Sequence, residues 1–255
     1  MTRDSDGPCE LPPGVLLDIE GTMSPIAFVY DIMFPYVRRE LEGFLLRWGE
    51  SKEVREACEA IAHDEGWASV NAWRDAASAT EPYVLIQQRV RELMDDDRKS
   101  TGLKALQGLI WKAGFDSGEL RAELFSDVAP CLEAWFQAGH DLRIYSSGSV
   151  TAQRLFFEHT TQGNLLNLFR GHFDTTVGPK RATESYRQIT HAFGLSPHQI
   201  AFLSDVVEEL DAAKAAGLLT ILCRRPGNPP VNATHCHHEI TCFTQLIPLK
   251  KRQQR

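Results

Sequence analysis

Short apolar runs that end on hydroxyls or carboxylates and alternate with helical stretches constrain this chain more than any other feature. Residues 15–17 form such a run, ending at Asp18 with Gly21 close behind. Residues 142–145 lead to Ser146-Ser147-Gly148, residues 200–203 lead to Ser204-Asp205, and residues 173–177 and 219–223 read as further strands. Helical periodicity fills the gaps at 151–159, 181–193 and 208–216, the last closed by Gly217. A strand–helix alternation of this kind builds a parallel sheet covered by helices on both faces. The stretch 34–124 breaks the rhythm: apolar residues recur there at helical spacing, with no period of two. Gly66, Pro82 and the 114–118 region punctuate it. The expected fold class is therefore α/β, a doubly wound, Rossmann-like parallel-sheet core with an inserted helical-bundle cap domain. An insertion beside the strand ends can act as a lid.

The expected boundaries are 14–30 and 125–247 for the catalytic core and 31–124 for the cap, with 1–13 and 248–255 as flexible ends. The chain has 255 residues, 27 basic against 34 acidic, and a net charge of -7. That balance argues against nucleic-acid or anionic-membrane binding. No apolar run approaches the roughly 20 residues that span a bilayer. The opening residues lack the charged-then-apolar layout of a signal peptide. Six cysteines are scattered without a CxxC pair, so a reduced, cytoplasmic protein is expected. The stretch His235-Cys236-His237-His238 with Cys242 matches no zinc spacing and reads as structural.

In open parallel sheets, ligands collect at the carboxyl ends of the strands. Here those ends offer Asp18-Ile19-Glu20-Gly21-Thr22, Ser146-Ser147-Gly148-Ser149, Gly178-Pro179-Lys180 and Ser204-Asp205 with Glu208 and Glu209. Clustered carboxylates make a hard-oxygen site suited to Mg²⁺. A lysine and hydroxyls suit a phosphate. An aspartate can attack phosphorus, and a second carboxylate two residues on can serve as acid and then base. Singly, each group has a plainer role as a turn, a helix cap or a solvated side chain. Their succession at strand ends is what makes them specific.

In that order these motifs resemble those of the haloacid dehalogenase-like phosphohydrolases, whose first motif is usually Asp-x-Asp; here the second position is Glu20. Longer stretches resemble the enolase-phosphatases of methionine salvage. They include Leu17 to Thr22, Ser24 to Val29, Phe34-Pro35-Tyr36, Leu106-Gln107-Gly108, Ile110-Trp111, Ser117 to Leu120, Ile144 to Ser149, Gly178-Pro179-Lys180, Glu184-Ser185-Tyr186, Phe202 to Asp205 and Arg225 to Asn228. The resemblance implies enolisation of 2,3-diketo-5-methylthiopentyl-1-phosphate, then dephosphorylation to the acireductone 1,2-dihydroxy-3-keto-5-methylthiopentene. It implies one Mg²⁺ per subunit and a monomer. It implies Asp18 as nucleophile and metal ligand, Glu20 as acid/base group and contributor to the metal site, and Asp205 as the other metal ligand. Ser146 and Ser147 would hold the substrate phosphate and Lys180 would neutralise it. Glu209 would orient a water on the metal. Met23 stands where the family commonly has Thr or Ser. Gln107, Gly108 and Trp111 either face the methylthio tail or pack in the cap, and Phe28, Tyr30 and Phe34 either line a pocket or pack.

Two other readings compete. One is an Mg-dependent phosphatase of the same superfamily acting on another small phosphate ester. The other is a catalytically silent binding protein, against which intact Asp18, Glu20, Lys180 and Asp205 argue. A dehalogenase has no need of Glu20 or of the acids at the third strand end.

Overall fold

The structure is a computed structural model and describes residues 9–78, 83–96, 98, 100–231 and 234–248. It divides into two compact units, one of Met1–Val29 with Arg121–Arg255 and one of Tyr30–Leu120.

The first unit is built on strands β1 (Cys9–Leu11), β2 (Gly14–Leu17), β3 (Asp141–Tyr145), β4 (Gly171–Phe173), β5 (Ile200–Ser204), β6 (Leu219–Cys223), β7 (His238–Ile240) and β8 (Leu246–Pro248). Six of them form one parallel sheet in the order β4-β3-β2-β5-β6-β7. β2 lies centrally, with Leu16 beside Arg143 on one neighbour and Phe202 on the other. All four of its residues are buried, as expected of a strand covered on both faces.

The chain leaves β2 towards β3 and leaves β5 towards β6, so the connections diverge between β2 and β5. That divergence is the topological switch point, where α/β sheets open a crevice for ligands. Right-handed crossovers put the connecting helices on opposite faces. The helices of the unit after the insertion are Val128–Ala138, Val150–Glu158, Thr183–Phe193 and Val207–Ala215. The last two seal one face: Tyr186, Ile189, Phe193, Leu210 and Ala213 pack with Leu16, Phe202 and Leu222.

The second unit holds five helices among its described residues: Phe34–Trp48, Lys52–Asp64, Val70–Ala76, Val84–Asp95 and Thr101–Ser117. Ser51, Ser69 and Ser100 cap three of them by accepting from the backbone N–H three residues on. Ala57, Cys58 and Ile61 are buried, as are Leu103, Leu106 and Ile110. Gly102 approaches so closely that a Cβ there would sit 2.5 Å from the Ile61 nitrogen. A π-helical turn, Phe28–Met33, carries the chain from the first unit into this bundle.

Several sequence expectations are corrected. Within the stretches expected to be flexible ends, residues 9–11 and Pro248 lie in strands: Cys9–Leu11 pairs in parallel with Leu246–Pro248, Cys9 beside Leu246. The strand expected over 173–177 ends at Phe173, and Asp174 turns the chain by accepting from the Thr176 N–H at 2.9 Å. The break expected in the 114–118 region falls at its end, at Gly118, while Gly114 lies inside the helix against the Tyr36 ring. Pro82 lies outside the described residues. Among the described residues, no helix is long and apolar enough to cross a membrane.

Candidate active site

The turn after β2 is tightly made. The Ile19 carbonyl accepts from three backbone N–H groups, those of Thr22, Met23 and Ser24, and Gly21 N–H donates to the Ser24 carbonyl. Asp18 opens this turn. Its backbone N–H still bonds the Leu203 carbonyl of β5, so its side chain leaves the sheet at the switch point. Only 3% of Asp18 is exposed. Gly21 has φ +69°, and a Cβ there would meet Asp205 Oδ2 at 2.2 Å. Glycine is therefore required on both conformational and steric grounds, and Asp205 is fixed against the turn that carries Asp18 and Glu20.

Lys180 is the charge at the centre. Its Nζ lies 2.6 Å from Asp18 Oδ2 and 2.7 Å from Glu209 Oε2. Ser204 Oγ joins the same two carboxylates, donating at 3.3 Å to Asp18 and 3.1 Å to Glu209 as alternatives for its one proton. Burial works to lower the Lys180 pKa, but Asp18 and Glu209 outweigh it and hold the ammonium above its ordinary range. Burial and the Asp18 charge push Asp205 up to about 7 and Glu209 up to about 7. Glu20 is raised for the same two reasons, burial first. Its Oε2 accepts from Ser146 Oγ at 3.3 Å, and Ser146 Oγ accepts the Gly148 N–H at 3.2 Å.

Ion pairs join Asp18, Lys180 and Glu209, a hydrogen bond joins Glu20 to Ser146, and the Asp18 charge acts on Glu20, Asp205 and Glu209 alike. Ser147 follows Ser146 in the bend that ends at Gly148. Glu209, expected to orient a water on the metal, pairs here with Lys180 and Ser204. Glu208 beside it is exposed.

Crowded carboxylates that raise one another's pKa suit a hard divalent cation. Among the described residues, no three His, Cys, Asp or Glu side chains form a ready-made metal cage. A cation that keeps several waters and takes only one or two carboxylates fits such a site. The His/Cys stretch is used otherwise. His235 and His237 stack at 5.6 Å, and His237 bridges Thr220 and Asp211.

Two residues escaped attribution of a role. Arg225, 5% exposed, donates from Nε to the Thr22 carbonyl at 3.0 Å and from Nη1 to Asp127 Oδ2 at 2.8 Å. Its guanidinium lies over Phe125 at 4.8 Å and Phe243 at 4.5 Å. Asn228 Nδ2 donates to the Gly21 carbonyl at 2.8 Å. Together they strap the turn from behind. The signal was the 225–228 segment itself, which composition presents as loop punctuation.

Met23 is fully buried in the first unit, and its carbonyl accepts the Phe125 N–H at 3.0 Å. Phe28 packs edge-on against Phe156 at 5.8 Å. Within the helical unit, Trp111 donates from Nε1 to the Met33 carbonyl at 2.9 Å and leans on Phe34, while Gln107 is buried.

Comparison with known proteins agrees with this geometry. The family model for haloacid dehalogenase-like hydrolases matches residues 13–217. The enolase-phosphatase E1 of Stenotrophomonas maltophilia (strain K279a) is 43% identical over 92% of this chain and 98% of its own. That of Sorangium cellulosum is 45% identical over 84% of this chain and 88% of its own. Among solved structures, the UTR4 protein of Saccharomyces cerevisiae superposes with a TM-score of 0.74 at 30% identity, covering 91% of this chain and 98% of that one. CbbY of Rhodobacter sphaeroides, solved in complex with phosphate, gives a TM-score of 0.56 at 16% identity over 94% of this chain and 98% of its own, a likeness of fold. With relatives that span helical insertion and sheet alike, the chain belongs to the enolase-phosphatases, within the haloacid dehalogenase-like hydrolases.

Proposed function

We propose that the cluster at the switch point performs phosphoryl transfer, with Asp18 as nucleophile and Glu20 as acid–base group. The enzyme is an acireductone synthase: it enolises 2,3-diketo-5-methylthiopentyl-1-phosphate and dephosphorylates the product to 1,2-dihydroxy-3-keto-5-methylthiopentene in methionine salvage. The observation that carries the assignment of roles is a buried Asp18 paired with the Lys180 ammonium at 2.6 Å, two residues before a carboxyl bonded to Ser146.

Asp18 attacks phosphorus, and the bond from phosphorus to the ester oxygen breaks. Glu20, whose burial favours the protonated form, gives its proton to the departing enol oxygen. The resulting Glu20 carboxylate takes a proton from water, which attacks the aspartyl-phosphate and frees Asp18 and inorganic phosphate. Ser146, Ser147 and Lys180 hold the phosphate through both steps. Lys180, flanked by two carboxylates, serves as a fixed positive charge. Asp18 and Asp205, with Glu20 contributing, would hold Mg²⁺, which supplies charge for the phosphate and polarises the substrate carbonyl during enolisation. A small-molecule phosphate substrate, a cytoplasmic location and a monomeric state complete the proposal.

The test is to incubate the protein with the diketo-phosphate and Mg²⁺, recording enol absorbance and phosphate release separately. Asp18→Asn removes the attacking charge and keeps the shape, so phosphate release should fall by orders of magnitude with the melting curve little changed. Near wild-type release by that variant would end the aspartyl-phosphate mechanism. Mg²⁺ should also raise the melting temperature of the wild type, an effect weakened by Asp205→Asn.

A further inference from the structure

Three successive carbonyls of the segment that carries Lys180 are each held by a different buried hydroxyl. Tyr145 Oη donates to the Gly178 carbonyl at 2.8 Å, Ser185 Oγ to the Pro179 carbonyl at 2.8 Å, and Tyr186 Oη to the Lys180 carbonyl at 2.7 Å. Tyr145 and Tyr186 have no exposed surface, and Ser185 is 2% exposed. The donors come from two elements, the end of β3 and the first turn of the helix Thr183–Phe193. The two phenol rings meet edge to face at 5.5 Å, and Tyr186 also packs on Phe202 at 5.1 Å. The hydroxyls are therefore presented by rigid, packed rings.

The segment is shaped to receive them. Gly178 has φ +137°, and a Cβ there would lie 2.3 Å from Ser185 Oγ. Any larger residue would push the serine off its carbonyl. The Lys180 ammonium, 5.9 Å from the centre of the Tyr145 ring, then reaches Asp18 and Glu209 at 2.6 and 2.7 Å. A lysine is a point charge on a flexible four-carbon stem. Holding it between two carboxylates demands a fixed origin for that stem. A turn lying between a sheet and a helix would ordinarily leave these carbonyls to water.

We infer that Tyr145, Ser185 and Tyr186 are positioning residues that act through Lys180, fixing the backbone from which its ammonium meets Asp18 and the substrate phosphate. None of the three reaches that ammonium by a hydrogen bond. The inference rests on the charge-neutralising role given to Lys180 above.

The experiment is a set of double-mutant cycles on the Mg²⁺-loaded enzyme with the diketo-phosphate. Tyr145→Phe, Ser185→Ala and Tyr186→Phe each delete one oxygen, in the wild type and again in Lys180→Met. Melting curves are taken for all, and Ser185→Ala, the smallest change, carries the test if a phenylalanine variant does not fold. Loss of one hydrogen bond corresponds to a fall in kcat of roughly threefold to tenfold. In the Lys180→Met background the same substitutions should change the residual kcat by less than about twofold, because the group they position is gone. Two results overturn the inference: unchanged kcat with only a lowered melting temperature, or the same fold-loss with and without Lys180. If Lys180→Met itself equals the wild type, the role of Lys180 falls and the inference with it. If Lys180→Met is crippled while the folded hydroxyl variants are not, this inference alone falls.

Discussion

Glu20 has two tasks that pull in opposite directions. As an acid it must be protonated when the enol oxygen leaves, and as a base it must be ionised when water attacks. Burial and the neighbouring Asp18 raise its pKa, while Lys180 and the Ser146 hydroxyl restrain the rise. Glu20→Gln keeps the size and part of the hydrogen bonding to Ser146 but can do neither task. Phosphate release should fall about 10²-fold or more, the usual range for a positioned acid–base group. Enol absorbance then separates two cases. If Glu20 is also the enolising base, no enol builds up from the diketo-phosphate; if another group takes that proton, enol-phosphate accumulates and stalls. Wild-type rates for both steps would remove Glu20 from the mechanism. Residues like these are legible in sequence because their chemistry is rare and their position, at the end of an apolar run, is itself a signal. Tyr145, Tyr186 and Arg225 fall in stretches that carry the family resemblance, but their roles are not legible, because they act on backbone oxygens that leave no trace in composition. A tyrosine ending a strand reads as core, and an arginine in a proline-rich loop reads as solvated.

At the scale of elements, the turn after β2 is pinned from two directions. Asp205 closes on Gly21 from β5, and Arg225 and Asn228 reach the Gly21 and Thr22 carbonyls from the loop after β6. Arg225 also ties Asp127 to the Thr241 carbonyl, and the Phe243 N–H donates to the same Asp127 oxygen. Burial opposes the Asp127 charge, but these donors win and hold its pKa below the ordinary value. Removing one partner of such a buried pair leaves the other uncompensated. Arg225→Met should therefore cost about 3–5 kcal/mol of stability, read from urea unfolding. Adding Asp127→Ala should cost much less than the sum of the two single changes. Strict additivity would mean that the pair is not coupled. The elements that frame this arrangement were legible where they are long and buried, as in β5 and β6. The three-residue strands β1, β7 and β8 were not. Each buries only one residue, and their pairing depends on partners far away in sequence. The expected extension of β4 to Val177 failed because Asp174 bonds its own turn, a local competition that apolar content does not reveal.

For the molecule as a whole, pH acts on stability through groups buried in one charge state. The raised carboxylates Asp205 and Glu209 bind protons more tightly folded than unfolded, so their contribution declines as pH rises towards about 7. His172, half-buried, and His140, buried, act in the opposite sense. Burial, with Arg154 nearby, lowers His172 to about 4, and burial also lowers His140. His172 Nδ1 meets Gln153 Oε1 at 3.3 Å, while its buried Nε2 has no hydrogen-bond partner among the described residues. A second proton there would be an N–H without an acceptor. Between about pH 4 and the ordinary histidine value near 6.5, the unfolded chain binds a proton at this position that the folded chain refuses. Stability from His172 is then fully present above about 6.5 and is lost as pH falls towards 4. Comparing the wild type with His172→Gln cancels the contribution of the site acids, which is common to both. The two melting temperatures should run parallel above pH 7 and converge as pH drops from 6.5 to 4, the wild type falling more steeply. Curves that stay parallel across that window would show that His172 accepts its proton as readily folded as unfolded.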